Sequence, residues 1–159
     1  MKRRKKISLT LLAAMLGLGL LAWFVARPFV VFGESMEPTL QPWELCVMQQ
    51  VREYVPRRGD IVMFRTADDP PLYFVKRVIG LPGETVSITG GVAMIDNKEL
   101  PEPYVEPNPT WDMEPITVPA RKIFVLGDNR GVLLDETLHG PVSTRLVQGR
   151  LVWHWRWKK

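Results

Sequence analysis

The sequence predicts an all-β fold, an antiparallel-sheet domain that follows one N-terminal transmembrane helix. Beyond residue 27, short apolar runs alternate with Pro and Gly turns, a pattern typical of strands. The 14 prolines argue against long helices there. The clearest hairpin signal is Gly90-Gly91, a two-residue turn between alternating apolar runs. The predicted strands are 29–32, 45–50, 60–65, 73–81, 85–89, 92–95, 122–126 and 150–155.

The transmembrane prediction rests on residues 7–26, which hold no charged side chain and only Ser8 and Thr10 as polar ones. As a helix this stretch spans about 30 Å, the thickness of a bilayer's hydrocarbon core. The basic residues before it put the N-terminus in the cytoplasm and the rest of the chain outside the cell membrane. A cleaved secretory signal is the alternative. The stretch exceeds a usual signal's apolar region, and bulky Phe24 is ill suited to cleavage after Ala26.

Charge and composition divide the chain into three parts: a basic tail over 1–6, the anchor over 7–26 and an extracytoplasmic domain over 27–159. The formal charge is +4, and the tail alone contributes +5, which leaves −1 for everything after it. No nucleic acid is therefore expected as a partner.

Six prolines within 101–119 predict an extended connector on the surface. The functional alternative is a lid or a loop that binds a partner.

Cys46 is the only cysteine, so no intrachain disulfide can form. Its apolar strand context predicts a small buried hydrophobe rather than a nucleophile. His139 and His154 complete no zinc-type spacing with it, and surface or interfacial roles are expected for both. Without a phosphate-binding or dinucleotide motif either, no cofactor is expected. Nothing in the sequence requires more than a monomer.

Two residues carry the chemistry that the sequence suggests: Ser35, just beyond the predicted anchor, and Lys76, in a later apolar strand. A serine hydroxyl is a weak nucleophile until a base takes its proton, and a desolvated lysine can be that base. Burial would lower the pKa of Lys76 from about 10.4. The alternatives are a serine that only forms a turn and an edge-strand lysine that reaches water. The order of anchor, serine and lysine indicates a hydrolase at a membrane surface.

Four patterns follow the anchor in order: SMEPTL (35–40), RGDIVMF (58–64), VKRVIGLPGE (75–84) and LGDNR (126–130). Together they resemble the bacterial type I signal peptidases, membrane-anchored serine proteases that remove signal peptides from exported proteins. The resemblance implies that Ser35 is the nucleophile and Lys76 the general base. It also implies an oxyanion hole that uses the Ser35 N–H. Gly33 stands where some members add a serine hydroxyl, and Asp128 and Asp135 would support the site.

The last pattern departs from the family's usual Gly-Asp-Asn-x-x-x-Ser-x-Asp-Ser-Arg. Leu133 replaces the serine that would orient the lysine, and Thr137 replaces the arginine that pairs with the aspartate. Asp135 is retained. Because positioning governs much of such catalysis, this predicts an active but atypical or slow enzyme in which Asp135 helps to hold Lys76.

The resemblance also implies the partners. The substrate would be a preprotein signal peptide, bound as an extended strand with small residues, typically Ala, at the first and third positions before the cut. Bulky apolar walls leave shallow pockets that reject larger side chains. The matching walls are Phe29, Val31, Phe32, Met36, Leu40, Phe74 and Val75. The phospholipid membrane is a second partner and the secretion translocon a further candidate. The aromatic and basic residues 152–159 suggest contact with the lipid headgroups of the membrane. The alternative is a last strand whose outer face carries tryptophans.

Two other functions stay open. One is a specialised Ser-Lys processing protease with a narrow substrate such as a pilin. The other is a non-catalytic membrane scaffold of the same family. Intact Ser35 and Lys76 argue against the scaffold, whereas Leu133 and Thr137 argue weakly for it. The anchor and the lack of a DNA-binding domain disfavour a self-cleaving repressor.

Overall fold

The computed structural model describes residues 9–105, 111–131 and 140–156. Over these residues the chain forms one α-helix, one 3-10 turn at Thr144–Leu146 and eleven β-strands, and the antiparallel β prediction is confirmed. The helix is α1 (Leu9–Val25). The strands are β1 (Ala26–Val30), β2 (Leu45–Gln50), β3 (Ile61–Arg65), β4 (Tyr73–Gly80), β5 (Thr85–Thr89), β6 (Val92–Ile95), β7 (Lys98–Glu99), β8 (Met113–Thr117), β9 (Lys122–Leu126), β10 (Gly140–Ser143) and β11 (Val147–Trp155).

Helix α1 lies inside the predicted anchor, of which residues 7 and 8 fall outside the described residues. It runs directly into β1 and exposes several large apolar side chains: Leu11, Leu12, Met15 and Leu16. In the described part of the chain, no helix has both the length and the apolarity that crossing a bilayer requires. The membrane crossing stays a prediction.

The strands form two antiparallel sheets. The larger sheet has the order β1-β2-β11-β3-β4-β9-β10, and the smaller has the order β7-β6-β5-β8. The last strand, β11, pairs with β2 on one side and with β3 on the other. Because β2 is joined to β1, this pairing brings the end of β11 beside the segment that links β1 to β2. That segment contains Ser35.

Three apolar clusters form the core. The first lies along the middle of the larger sheet and includes Val62 and Phe64, which alternate with half-buried neighbours on β3 as the pleat requires. The second packs β9 against the smaller sheet. The third lies under the segment between β1 and β2 and holds Val31, Met36, Leu40 and Cys46. Full burial of a side chain such as Phe64 stabilises the fold by about 1.5–3 kcal/mol.

Three strands were not predicted from the sequence: β7, β8 and β10. Strand β8 lies within the Pro-rich residues 101–119 and contains Pro115. Proline is tolerated there because β8 is the edge strand of the smaller sheet, and the pairing register with β5 shifts beside it. Strand β7 has only two residues, too few to show alternation.

Cys46 is fully buried in β2, which confirms the prediction of a small core residue. Burial, with a smaller contribution from the nearby Glu44 carboxylate, raises the pKa of the Cys46 thiol to about 11. Such a thiol is almost entirely protonated at physiological pH, so it is a poor nucleophile.

Candidate active site

Ser35 lies in a turn between β1 and β2 that is held at both ends. Gly33 has a φ of 90°, a backbone conformation that favours glycine because a β-carbon would be strained there. The Glu37 N–H donates to the Glu34 carbonyl at 3.0 Å. Met36, directly after the serine, is buried in the third apolar cluster. The turn therefore fixes Ser35 while leaving it only half-buried. We call residues 33–40 the serine turn.

Lys76 lies on β4, between β3 and β9, and is only 1% exposed. Burial lowers the pKa of its amine to about 8, although the Asp128 carboxylate opposes this change. Desolvation disfavours the charged form, and no carboxylate salt bridge to Lys76 is found among the described residues. The amine can therefore lose its proton slightly above neutral pH, as a general base must.

The serine turn and Lys76 meet at Gly127, the first residue after β9. A β-carbon at this position would collide with the Ser35 carbonyl oxygen and would lie 3.4 Å from the Lys76 Nζ. Only the absence of a side chain lets both groups come this close. Asn129 then fixes the turn, because its N–H donates to the Ser35 carbonyl at 3.1 Å and its Nδ2 donates to the Glu34 carbonyl at 3.2 Å.

Arg77 connects the elements around this meeting point. Its guanidinium donates to both carboxylate oxygens of Asp128, with N–O distances of 2.8 and 2.6 Å. It also donates to the Gly59 carbonyl at 3.0 Å and to the Thr39 hydroxyl at 3.3 Å. Buried bidentate pairs of this kind are strong and directional. Arg77 therefore joins Asp128 to Gly59 and to Thr39 of the serine turn, while the supporting role of Asp128 stays a prediction. The sequence reasoning missed this role of Arg77, although it follows Lys76 directly.

The end of β11 holds the other side of the serine turn. The buried Glu44 carboxylate accepts from the Gln41 N–H at 2.8 Å and contacts Nδ1 of His154. Arg156 donates to the Pro38 and Thr39 carbonyls at 2.8 and 2.9 Å. His154 is exposed, as predicted, but its pairing with Glu44 was not foreseen. No spacing rule links residues so far apart in sequence.

The predicted substrate pocket divides in two. Met36 and Leu40 of the serine turn are buried together with Val31, and Phe29 and Val75 pack against them. The other two walls lie elsewhere. Phe74 packs on the first apolar cluster, and Phe32 is 72% exposed with its ring edge-on to Trp43.

The substituted end of the last family pattern falls within residues 132–139, outside the described part of the chain. Asp135, predicted to support the site, and the replacements Leu133 and Thr137 lie outside the described residues. The same holds for His139 and for the last three residues of the chain. The described part of the last pattern ends at Gly131, just after Asp128 and Asn129.

Comparison with known proteins matches the arrangement to one family. The model of the family described as "Signal peptidase, peptidase S26" matches residues 4–157. Signal peptidase I of Leptolyngbya laminosa is 39% identical over 150 residues, covering 89% of this chain and 73% of that protein. Probable signal peptidase I-1 of Synechocystis sp. is 33% identical over 155 residues, covering 92% of this chain and 79% of that protein.

A solved structure gives the same result. The crystal structure of a signal peptidase I from Enterococcus faecalis is 32% identical and has a TM-score of 0.50 to this chain. The match covers 63% of this chain and 99% of that one. With the family model matched over nearly the whole sequence, the chain belongs to the signal peptidase family, peptidase S26, and is a peptidase.

Proposed function

We propose that this chain is a membrane-bound serine endopeptidase that removes N-terminal signal peptides from exported preproteins, with Ser35 as nucleophile and Lys76 as general base. One observation carries the proposal: the serine turn and the buried Lys76 amine converge on Gly127. The lowered pKa of Lys76, about 8, suits the role of base. Family membership and relatives named signal peptidase I support the reaction and its substrate class.

The reaction would follow the usual course of acyl transfer. Neutral Lys76 accepts the hydroxyl proton of Ser35 as its Oγ attacks the scissile carbonyl carbon, and the electron pair of the carbonyl moves to its oxygen. The Ser35 N–H donates to that oxyanion. Lys76 then passes the proton to the leaving amine as the C–N bond breaks, which leaves an acyl-enzyme. Water then attacks the ester carbonyl as Lys76 takes its proton, and Lys76 returns that proton to the Ser35 Oγ as the bond between the acyl carbon and Oγ breaks. The signal peptide leaves with a free carboxyl end, and Ser35 and neutral Lys76 are restored.

Specificity for small residues before the cut would follow from the third apolar cluster, to which the serine turn contributes Met36 and Leu40. Val31, Met36 and Leu40 are buried in this cluster, so we expect it to leave room only for a small substrate side chain. An extended substrate can approach along β1, which is an edge strand of the larger sheet. We therefore expect cleavage after Ala-x-Ala-type sequences.

A membrane location is supported by α1, whose large apolar side chains are exposed where the structure describes them. The basic tail favours a cytoplasmic N-terminus, so the catalytic domain would lie outside the cell membrane. Trp153 and Trp155 are also exposed and suit the headgroup region. Substrates that emerge from the secretion translocon would meet the domain at this surface.

Cleavage of a reporter preprotein tests the proposal. Ser35→Ala and Lys76→Ala should each lower the cleavage rate by about a thousandfold or more, as expected for loss of a nucleophile or its base. Ser87→Ala on β5 and Lys98→Ala on β7 are matched controls outside the site and should cleave normally. Wild-type activity in either site variant would refute the dyad.

A second candidate, a processing protease with a narrow substrate, is favoured by one feature of the sequence. Leu133 and Thr137 replace the serine and arginine of the usual last pattern. A panel of preproteins with different signal peptides separates the two functions. A general enzyme cleaves most of the panel, whereas a specialised one cleaves a single class. Labelling of Ser35 by an acylating inhibitor would exclude the non-catalytic scaffold.

A further inference from the structure

Residues 101–105, which follow β7, contact two arginines near the candidate site. The Tyr104 ring covers the Arg77 guanidinium, with 3.8 Å between the guanidinium carbon and the ring centre. The Tyr104 hydroxyl donates to Oε1 of Glu102 at 3.0 Å, and the same oxygen accepts from Nη2 of Arg130 at 2.6 Å. One short segment thus binds both arginines.

The two arginines in turn hold the start of the loop Gly127–Arg130, of which Arg130 is itself the last residue. Arg77 binds the Asp128 carboxylate, and Nε of Arg130 donates to the Gly127 carbonyl at 3.0 Å. The side chains of Arg77, Arg130 and Glu102 are at most 11% exposed. Ion pairs and cation–π contacts are strongest when they are shielded from water in this way. Glu102 and Tyr104 therefore brace the loop.

The loop matters because Gly127 is the point at which the serine turn and Lys76 meet. A shift of 1 Å in catalytic groups can lower a rate about a hundredfold. Glu102 and Tyr104 do not belong to the three apolar clusters of the described core, so their contacts serve the charged groups beside the site. We propose that Glu102 and Tyr104 are positioning residues that set the Ser35–Lys76 geometry through loop 127–130. This inference rests on the proposed function.

Two pairs of variants in the full-length chain test the proposal. Tyr104→Ala and Glu102→Ala should lower kcat by about tenfold or more while KM stays within about twofold, because alignment is lost and substrate contacts are not. Tyr104→Phe and Glu102→Gln should retain kcat within about threefold. The phenyl ring still covers Arg77, and the amide oxygen still accepts hydrogen bonds. The rate at which an active-site inhibitor acylates Ser35 should fall in the two alanine variants and stay near the wild-type rate in the other two.

Tyr54→Phe is the control for general loss of stability. Tyr54 is buried and its hydroxyl also donates to a carboxylate, that of Asp60, at 2.9 Å. Its variant should melt earlier with kcat unchanged. If Tyr104→Ala does not fold, the Glu102→Ala and Glu102→Gln pair decides. Wild-type kcat in the alanine variants, with only a lower Tm, would overturn the positioning role. Activity in Ser35→Ala or Lys76→Ala would instead overturn the proposed function.

Discussion

Lys76 differs from an ordinary lysine because the sheet removes its amine from water. Its pKa of about 8 makes the neutral form available near the pH at which cells live, whereas an exposed amine would be charged. The alternation in β4 predicted a lysine on an apolar strand face, between Phe74 and Val78. Alternation alone could not predict that the Lys76 side chain is buried, because the groups near its amine come from the serine turn and from Gly127.

The pH dependence of cleavage should report the Lys76 amine. Since only the neutral amine can accept a proton, kcat/KM should rise about tenfold per pH unit below pH 8 and level off above it. The contribution of Lys76 to folding stability should also increase with pH. Between about pH 8 and 10.5 the unfolded chain binds more protons at this residue, so its contribution to stability rises with pH across that range. Rate measurements from pH 6 to 10 check this, and a flat profile would contradict it.

Gly127→Ala should damage both stability and activity. The new β-carbon would collide with the Ser35 carbonyl, and forced repacking of this kind costs about 1–3 kcal/mol. Acylation of Ser35 should fall by about a hundredfold because the turn must move away from Lys76. Gly90→Ala, in a hairpin turn with open space around it, should lose stability alone. Denaturation and inhibitor labelling measure the two effects, and equal labelling of both variants would refute the explanation.

At the scale of elements, alternation predicted strands well where a strand has one buried face. Strands β2, β5, β6 and β9 have the predicted bounds, and β3 and β4 differ by one residue at an end. Prediction failed where the pattern was absent or hidden. Strand β8 lies among prolines, and β7 is too short to show a period. Strand β1 begins earlier than expected because its pairing with β2 extends back to Ala26.

The candidate site could be predicted from the sequence only in part, because some of its contacts join residues that are distant in sequence. Ser35, Lys76 and Asp128 could be proposed from the sequence, since each belongs to a local pattern, and their roles stay predictions. Arg77, which binds Asp128, and Tyr104, which covers Arg77, were not foreseen. A bidentate pair and a cation–π contact depend on how distant strands pack, which local patterns do not encode.

The end of β11 should control the order of the serine turn. Arg156→Ala removes two hydrogen bonds to the carbonyls of Pro38 and Thr39, so the turn should open more often. We expect faster amide exchange at Leu40 and a kcat about three- to tenfold lower. Arg150→Ala is the matched control, because Arg150 lies on β11, six residues before Arg156, and its side chain donates to Gln49 instead. Unchanged exchange at Leu40 would contradict this role.

For the whole molecule, the exposed leucines of α1 predict retention in a membrane. Leu12→Arg with Leu16→Arg adds two charges on one helix face, each costing about 2.5–3.5 kcal/mol in a bilayer centre. Alkaline carbonate should release this variant and leave the wild-type chain in the membrane. Val55→Arg with Leu72→Arg, two exposed apolar positions in the β domain, should behave like wild type. Wild-type release by carbonate would refute the anchor.

The buried thiol of Cys46 has a practical consequence for measuring motion in this enzyme. It is the chain's only cysteine, and with a pKa of about 11 roughly one thiol in a thousand is ionised at pH 8. A cysteine introduced at an exposed position such as Glu34 would therefore react with maleimide dyes far faster than Cys46. A fluorophore could then be attached beside the candidate nucleophile without first deleting a native cysteine.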